Sequence, residues 1–347
     1  MRFLNTQKTR LWRTISHLAV TAGWLSATLA GSGCQEPSSD AGAHVHRPPG
    51  DAPYTIVCTT GMVADIVRQV AGDQAEVIGL FGAVDPHTYE PTARDIERIL
   101  DADVVFYSGL MLEGPTQKAL EAAARRGRLV RAVTDCLKAE PDYLRFPGGN
   151  EAHPDPHVWM DVAAWGRCVS AVSRILCDYD PQSRSRYEAK AALYLKELDR
   201  LDRYAQDSIA SIPPAQRYLV TAHDAFGYFS RAYEIPVRSV QGISTASEAG
   251  TNDINQLVDF LASQQVPAVF VESTVNQANL RAVIEGAARR GWAVTVAGEL
   301  FSDAMGSVGS YEGTYIGMLD HNITNITRAL GGEAPLQGLN GRLSGTD

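Results

Sequence analysis

Between Pro181 and Ser211 the chain reads PQSRSRYEAKAALYLKELDRLDRYAQDSIAS, rich in Ala, Leu, Lys, Glu and Arg and without a strand-like piece. Pro181 is placed to open a helix, and Pro213-Pro214 to close it. About 30 residues of helix run to roughly 45 Å. Leu193, Leu198 and Leu201 fall on one side of it. A helix of that length, standing between two segments of another character, reads as a connecting strut rather than a core element.

On either side, short β-branched runs alternate with amphipathic segments. Upstream, Tyr54–Thr59, Glu76–Leu80, Asp103–Tyr107 and Leu129–Val133 read as buried strands. Met62–Val70, Ala93–Leu100 and Pro115–Arg126 between them carry helical spacing, and a strand-like Val158–Met160 precedes a helix from Ala163 to about Cys177. Downstream, the strand candidates are Tyr218–Thr221, Val237–Val240, Ala268–Val271 and Ala293–Val296. The helices there run over Ala225–Tyr233, Thr251–Gln265, Asn276–Arg290 and Thr314–Leu330. A βαβα order implies parallel strands with helices on both faces. The expected fold is therefore α/β, with two parallel-sheet lobes joined by a single long rigid helix and a ligand site in the cleft between them. The corresponding divisions are an N-terminal lobe over 54–180, the linking helix over 181–212, a C-terminal lobe over 213–332 and a flexible tail over 333–347.

Residues 1–53 are of a different kind. Arg2, Lys8, Arg10 and Arg13 form a basic segment without an acid, followed by an apolar stretch from Ile15 to Ala30 and then Gly31-Ser32-Gly33-Cys34. This reads as a secretory signal over 1–33, too short and too rich in small residues for a spanning helix. Cys34 looks like the lipidation cysteine of bacterial lipoproteins, although Gly31 stands where that pattern prefers Leu. Residues 34–53 are polar and Pro-rich, a flexible tether in which His44 and His46 read as solvated spacers.

Loss of the signal takes away four positive charges and shifts the formal charge from -9 to -13. An acidic exported chain suits a cationic ligand and disfavours nucleic acid, which needs a basic surface. Cys58, Cys136, Cys168 and Cys177 form no C-x-x-C pair. Export permits disulfides, but buried free thiols are the expectation.

The chemistry lies in a repeated tripeptide. Asp-Pro-His occurs at Asp85-Pro86-His87 and again at Asp155-Pro156-His157, in a chain with only eight histidines. Proline fixes the backbone ahead of each imidazole. The preceding Asp is close enough to accept a ring N–H, which is how metal-bound histidines are oriented. His223 follows the Tyr218–Thr221 strand, and Asp303 follows Ala293–Val296. Ligands of open α/β sheets bind beyond the carboxyl ends of strands, so facing lobes would bring His87, His157, His223 and Asp303 to one point. Three nitrogens and a carboxylate suit a first-row divalent ion. His153 could add a fifth donor but reads as exposed on a Pro/Gly loop. Glu248 and Glu272 read as caps or braces at least as readily as ligands, and His321 as surface or packing.

Longer segments in order carry a resemblance: TTGMVADIV, VDPHTYEPTARDI, DPHVWMDV, LVTAHDAFGYFSRAY, QGISTASEAG, FVESTVN and GELFSDAMG. The chain resembles the metal-binding class of ABC-transporter solute-binding lipoproteins, and within it the TroA-like zinc/manganese-binding proteins. The resemblance places His87, His157, His223 and Asp303 on that family's four ligand positions. Manganese- and iron-type members usually have Glu at the third position, where this chain has His223. Dedicated zinc members usually carry a His/Asp-rich loop before the second ligand, whereas Lys138–Pro156 holds only His153. The cargo implied is zinc or manganese, with iron the less favoured. A nitrogen-rich site by itself leans to zinc.

The resemblance also implies a monomer held to the membrane by a lipid on Cys34, periplasmic or at the cell surface. Its implied partners are an ABC permease and its ATPase. The competing reading is a zinc hydrolase on the same residues, with Glu272 or Glu299 as base. Four protein ligands leave little room for substrate, and no H-E-x-x-H motif is present. A cell-adhesion role on the same scaffold leaves no mark in the sequence.

Overall fold

A computed structural model describes residues 53–140, 143–147, 153–247 and 249–344. The leader, Cys34, the tether histidines and Glu248 lie outside the described residues. Among the described residues no helix is long and apolar enough to cross a membrane.

The first sheet is four parallel strands, β1 (Tyr54–Cys58), β2 (Ala75–Gly79), β3 (Val104–Tyr107) and β4 (Leu129–Ala132), in the order β2-β1-β3-β4. Successive side chains point to opposite faces. Ile56, Cys58, Val104 and Phe106 meet α1 (Gly61–Ala71) and α4 (Val162–Tyr179) on one face. Val57 and Val105 meet Ile99 of α2 (Ala93–Asp101) and Leu120 of α3 (Gln117–Arg125) on the other. Burial on both faces is why these strands are apolar throughout rather than alternating.

Two parallel pairs build the second half. β5 (Leu219–Thr221) pairs with β6 (Val237–Ser239), β7 (Ala268–Glu272) with β8 (Thr295–Leu300), and β5 packs beside β7. One face holds Val220 and Val269 against Leu257 and Leu261 of α7 (Thr251–Gln264) and Val283 of α8 (Ala278–Arg289). The other holds Leu219 and Phe270 near α6 (Gly227–Tyr233) and α9 (Tyr315–Ala329).

The long helix α5 spans Arg184–Ala210, 27 residues, after a 3₁₀ turn over Pro181–Ser183. It is not a bare strut. Tyr187, Ala191, Tyr194, Leu198, Leu201 and Ala205 are buried at alternating four- and three-residue steps, while Leu193 is 63% exposed. That stripe joins the cores of both halves. Tyr194 donates to Asp65 of α1 at 2.9 Å, and Asp202 accepts from Tyr233 of α6 at 3.0 Å. The expectation from leucines alone missed the stripe because its partners are tyrosines and alanines.

Three further expectations change. Val158–Met160 is a 3₁₀ turn, not a strand. Its apolar side chains are buried because they plug the core, which periodicity in a three-residue run cannot distinguish from a strand. β8 starts later than the Ala293–Val296 expectation and runs to Leu300. Its register with β7 slips between Val269 and Val271, and Gly298 at φ 147° lies in the extra residue's stretch. The bulge breaks the alternation by which a strand is read. Finally, the segment beyond Gly331 is docked through Gly338 to Leu343. Asp320 of α9 accepts from the Leu339 N–H at 2.8 Å, and Leu343 is buried.

Candidate metal centre

Each of the four residues is held by its own local device. His87 sits beyond β2, and Asp85 accepts its backbone N–H at 2.8 Å. The other Asp85 oxygen accepts from the Thr245 hydroxyl of the second half. Asp85 therefore shapes the loop rather than orienting the ring as expected. The second Asp-Pro-His differs: Asp155 Oδ1 accepts both the His157 N–H at 3.0 Å and its Nδ1–H at 2.8 Å. Arg145 Nη1 binds the remaining Asp155 oxygen at 2.6 Å.

His223 leaves the end of β5 and meets Glu272 at the end of β7. Its N–H donates to Oε1 at 2.8 Å, and its Nδ1 lies 2.6 Å from Oε2. Asp303 lies just past β8, where Asn322 of α9 clamps Phe301 through its N–H at 2.9 Å and its carbonyl at 2.7 Å. Trp159 Nε1 reaches across from the other half to the Ser302 carbonyl at 2.8 Å.

These devices aim three Nε2 atoms and one carboxylate inward. One donor atom from each of His87, His157, His223 and Asp303 lies within 4.8 Å of all the others. The His87 and His157 Nε2 atoms are 3.2 Å apart. Asp303 Oδ1 is 3.2 Å from His157 Nε2 and Oδ2 is 3.1 Å from His223 Nε2. A tetrahedral ion with bonds of ~2.1 Å has ligand–ligand edges of ~3.4 Å, so the spacing suits a first-row cation. With both oxygens facing imidazoles, Asp303 can bind through either or both. These atoms are buried and face one another as ion pairs when the imidazoles are protonated, and a shared cation would take the place of the protons between them.

The charge states follow from position. Burial, with two neighbouring imidazoles, outweighs Asp303 and brings His87 down to about 4. Burial opposes charge on His157, but Asp155 and Asp303 override it and hold the ring at about 9. His223 is likewise raised against burial by Glu272 and Asp303. Asp303 is held well below the carboxylate range despite its burial, chiefly by His223 and His157. His87 alone keeps solvent contact, with 7% of its side chain exposed against 0% for Asp303. A cavity of about 350 Å³, lined by His87, Leu112, His153, Pro156 and Ile243 among others, leads to it.

His153 lies at that mouth, exposed, and does not join the cluster. His321 rests on the Phe301 ring with Nε2 2.9 Å from the Glu299 carbonyl oxygen. Glu272 is a brace, engaged by His223 through its backbone N–H at 2.8 Å and facing its Nδ1 at 2.6 Å. Arg145, Thr245, Trp159 and Asn322 were not anticipated. Glu272 had a usable signal, since it and His223 end neighbouring parallel strands. Arg145 had none, because its partners are set by a loop folding back across the molecule.

A buried nitrogen-rich donor set between two α/β lobes is the arrangement of a cation-capturing solute-binding protein. Residues 56–329 match the family model described as ZnuA, zinc-uptake complex component A, periplasmic, and the chain belongs to that family. It is 42% identical over 281 residues to the zinc-binding protein TroA of Treponema pallidum, covering 81% of this chain and 90% of that one. Identity to the manganese-binding lipoprotein MntA of Bacillus subtilis is 39% over 310 residues, covering 89% and 98%. The solved structure of the Treponema pallidum protein superposes with a TM-score of 0.76 over 80% of this chain and 99% of that one. Fe(III)-bound YtgA of Chlamydia trachomatis superposes at 0.72 with 29% identity, over 81% and 99%. None of this supports the hydrolase alternative.

Proposed function

We propose that His87, His157, His223 and Asp303 bind a divalent transition metal as cargo, for delivery to an ABC permease driven by its ATPase. The observation that carries this is the convergence of four donor atoms, from both halves of the chain, within 4.8 Å of one another. Family membership makes the chain the substrate-binding component of such a transporter, working outside the cytoplasm. Relatives named for zinc, manganese and iron bracket the cargo. Three imidazoles favour zinc over manganese by intrinsic affinity.

In this reading the chain acts as a monomer, anchored through Cys34 after removal of 1–33, with lobes over 54–180 and 213–332 on the helix at 181–212. It binds and releases without catalysing a reaction. Elemental analysis of the chain isolated without added metal, beside His157→Ala, tests the assignment. One equivalent of zinc or manganese in the parent and a large loss in the variant are expected. Equal metal in both would overturn it.

A further inference from the structure

We infer that Cys136 and Cys168 form an intramolecular disulfide in the exported protein, fastening both ends of the segment that presents His157. Their Sγ atoms lie 4.0 Å apart across 32 residues of sequence. Cys136 belongs to the 3₁₀ turn over Val133–Leu137 that packs on α4, and Cys168 is on α4 itself. Closing a bond of ~2.05 Å needs the two sulfurs to approach by about 2 Å, a side-chain rotation between elements already in contact. The chain enclosed by the bond carries Tyr143, Arg145, Asp155 and His157. The other two thiols are differently placed. Cys58 is sealed in β1, and Cys177 points its S–H at the Arg184 carbonyl, 3.7 Å away.

Access and reactivity divide the roles. Cys136 is half-buried, whereas Cys168 is fully buried. The Cys168 thiol, with Arg174 nearby, favours the Cys136 thiolate and lowers its pKa. Burial raises that of Cys168. Reaction runs with a low-molecular-weight disulfide such as glutathione disulfide as oxidant. The Cys136 thiolate attacks one of its sulfurs and expels the first thiolate. Cys168 gives up its proton as it attacks the Cys136 sulfur of the mixed disulfide and displaces the second. One protein S–S bond forms, the external S–S bond is reduced to two thiols, and these take the two protons that the protein thiols lose.

The exported chain, isolated from the envelope with acid quenching and blocked by a maleimide, is mapped by mass spectrometry without reduction. Expected is a linked peptide pair carrying Cys136 and Cys168, with Cys58 and Cys177 unlinked. The reduced chain treated with glutathione disulfide should regain the same link. Reduction should lower Tm by roughly 5 °C, and Cys136→Ser should match the reduced parent whether or not oxidant is present. Free, fully alkylated Cys136 and Cys168 after both treatments would overturn the inference. So would a glutathione adduct persisting on Cys136, or a link from either residue to Cys58 or Cys177.

Discussion

The Arg145 guanidinium lies against the bare Cα of Gly227, where an added methyl carbon would collide with Nη1. That same Nη1 binds Asp155, and Asp155 orients the His157 ring. The loop is further tied to α6 by the Tyr228 hydroxyl, which accepts the Arg145 N–H at 3.1 Å and donates to the Asp155 carbonyl at 3.0 Å. Gly227→Ala should therefore displace Arg145 without touching any proposed ligand. Loss of such an outer partner typically costs 10- to 100-fold in metal affinity, and about 10-fold is expected. Calorimetry with zinc checks it, and unchanged affinity would show that Asp155 holds His157 unaided.

Glu272→Gln separates charge from shape at the opposite side of the site. The amide oxygen can still accept the His223 N–H, but the carboxylate charge facing Nδ1 is lost. Affinity should drop by roughly 10-fold or more, while far-UV circular dichroism stays that of the parent. The same substitution at Glu299, exposed on β8, should do nothing measurable.

His157→Ala removes an inward-facing donor outright. As one of four proposed ligands, in a site with a binding free energy of ~10–16 kcal/mol, it accounts for a loss on the order of a hundred- to a thousandfold. The chain should still fold, since His157 lies between the halves while the apolar clusters behind it are untouched. His153→Ala at the cavity mouth should leave affinity within about twofold of the parent. A large effect there would mean that the loop closes further onto the bound ion.

What the sequence made legible follows from where each signal resides. The strands of the first sheet read correctly because burial on both faces makes them unbroken apolar runs. His87, His157, His223 and Asp303 could be picked out because three lie at strand-end loops and two share Asp-Pro-His. The residues that hold the donors in place were legible only where they are local, as with Asp155 beside His157. Thr245 and Trp159 bond partners in the other half of the molecule, and Arg145 reaches Asp155 from a loop ten residues upstream; no local pattern encodes such contacts. Leu193 misled for the opposite reason, since an apolar residue on a helix marks the buried side only when its neighbours at three and four residues agree.

Capture should be proton-coupled. His157 is raised to about 9 and His223 is raised as well, so both carry protons at pH 7, whereas His87, at about 4, does not. A metal must displace both, releasing about two protons per ion. Apparent affinity should therefore rise with pH, at least through the range near 9 where His157 gives up its proton. For the metal-free protein the sign reverses. A raised imidazole contributes stability fully below its unfolded value of ~6.5, and that contribution is lost as pH climbs toward about 9. Zinc titrations in buffers of different ionisation enthalpy give the proton count directly, and buffer-independent heats would sink this account.

Metal identity is open to the same linkage logic. Any ion that binds only the folded chain raises Tm, by an amount set by its concentration relative to Kd; an excess of 100 Kd adds ~2.7 kcal/mol. Three imidazoles and one carboxylate rank zinc above manganese, so at equal free concentrations zinc should raise Tm further and displace bound manganese. His223→Glu exchanges a nitrogen for an oxygen donor at the position where the chain departs from the manganese and iron pattern. The exchange should narrow the gap between the two ions, chiefly by weakening zinc. Its carboxylate would also face Glu272, so Glu272→Gln in the same chain relieves the repulsion and keeps the comparison clean. If the double variant retains the parent's full zinc preference in a competition titration, donor type at this position is not what ranks the two metals.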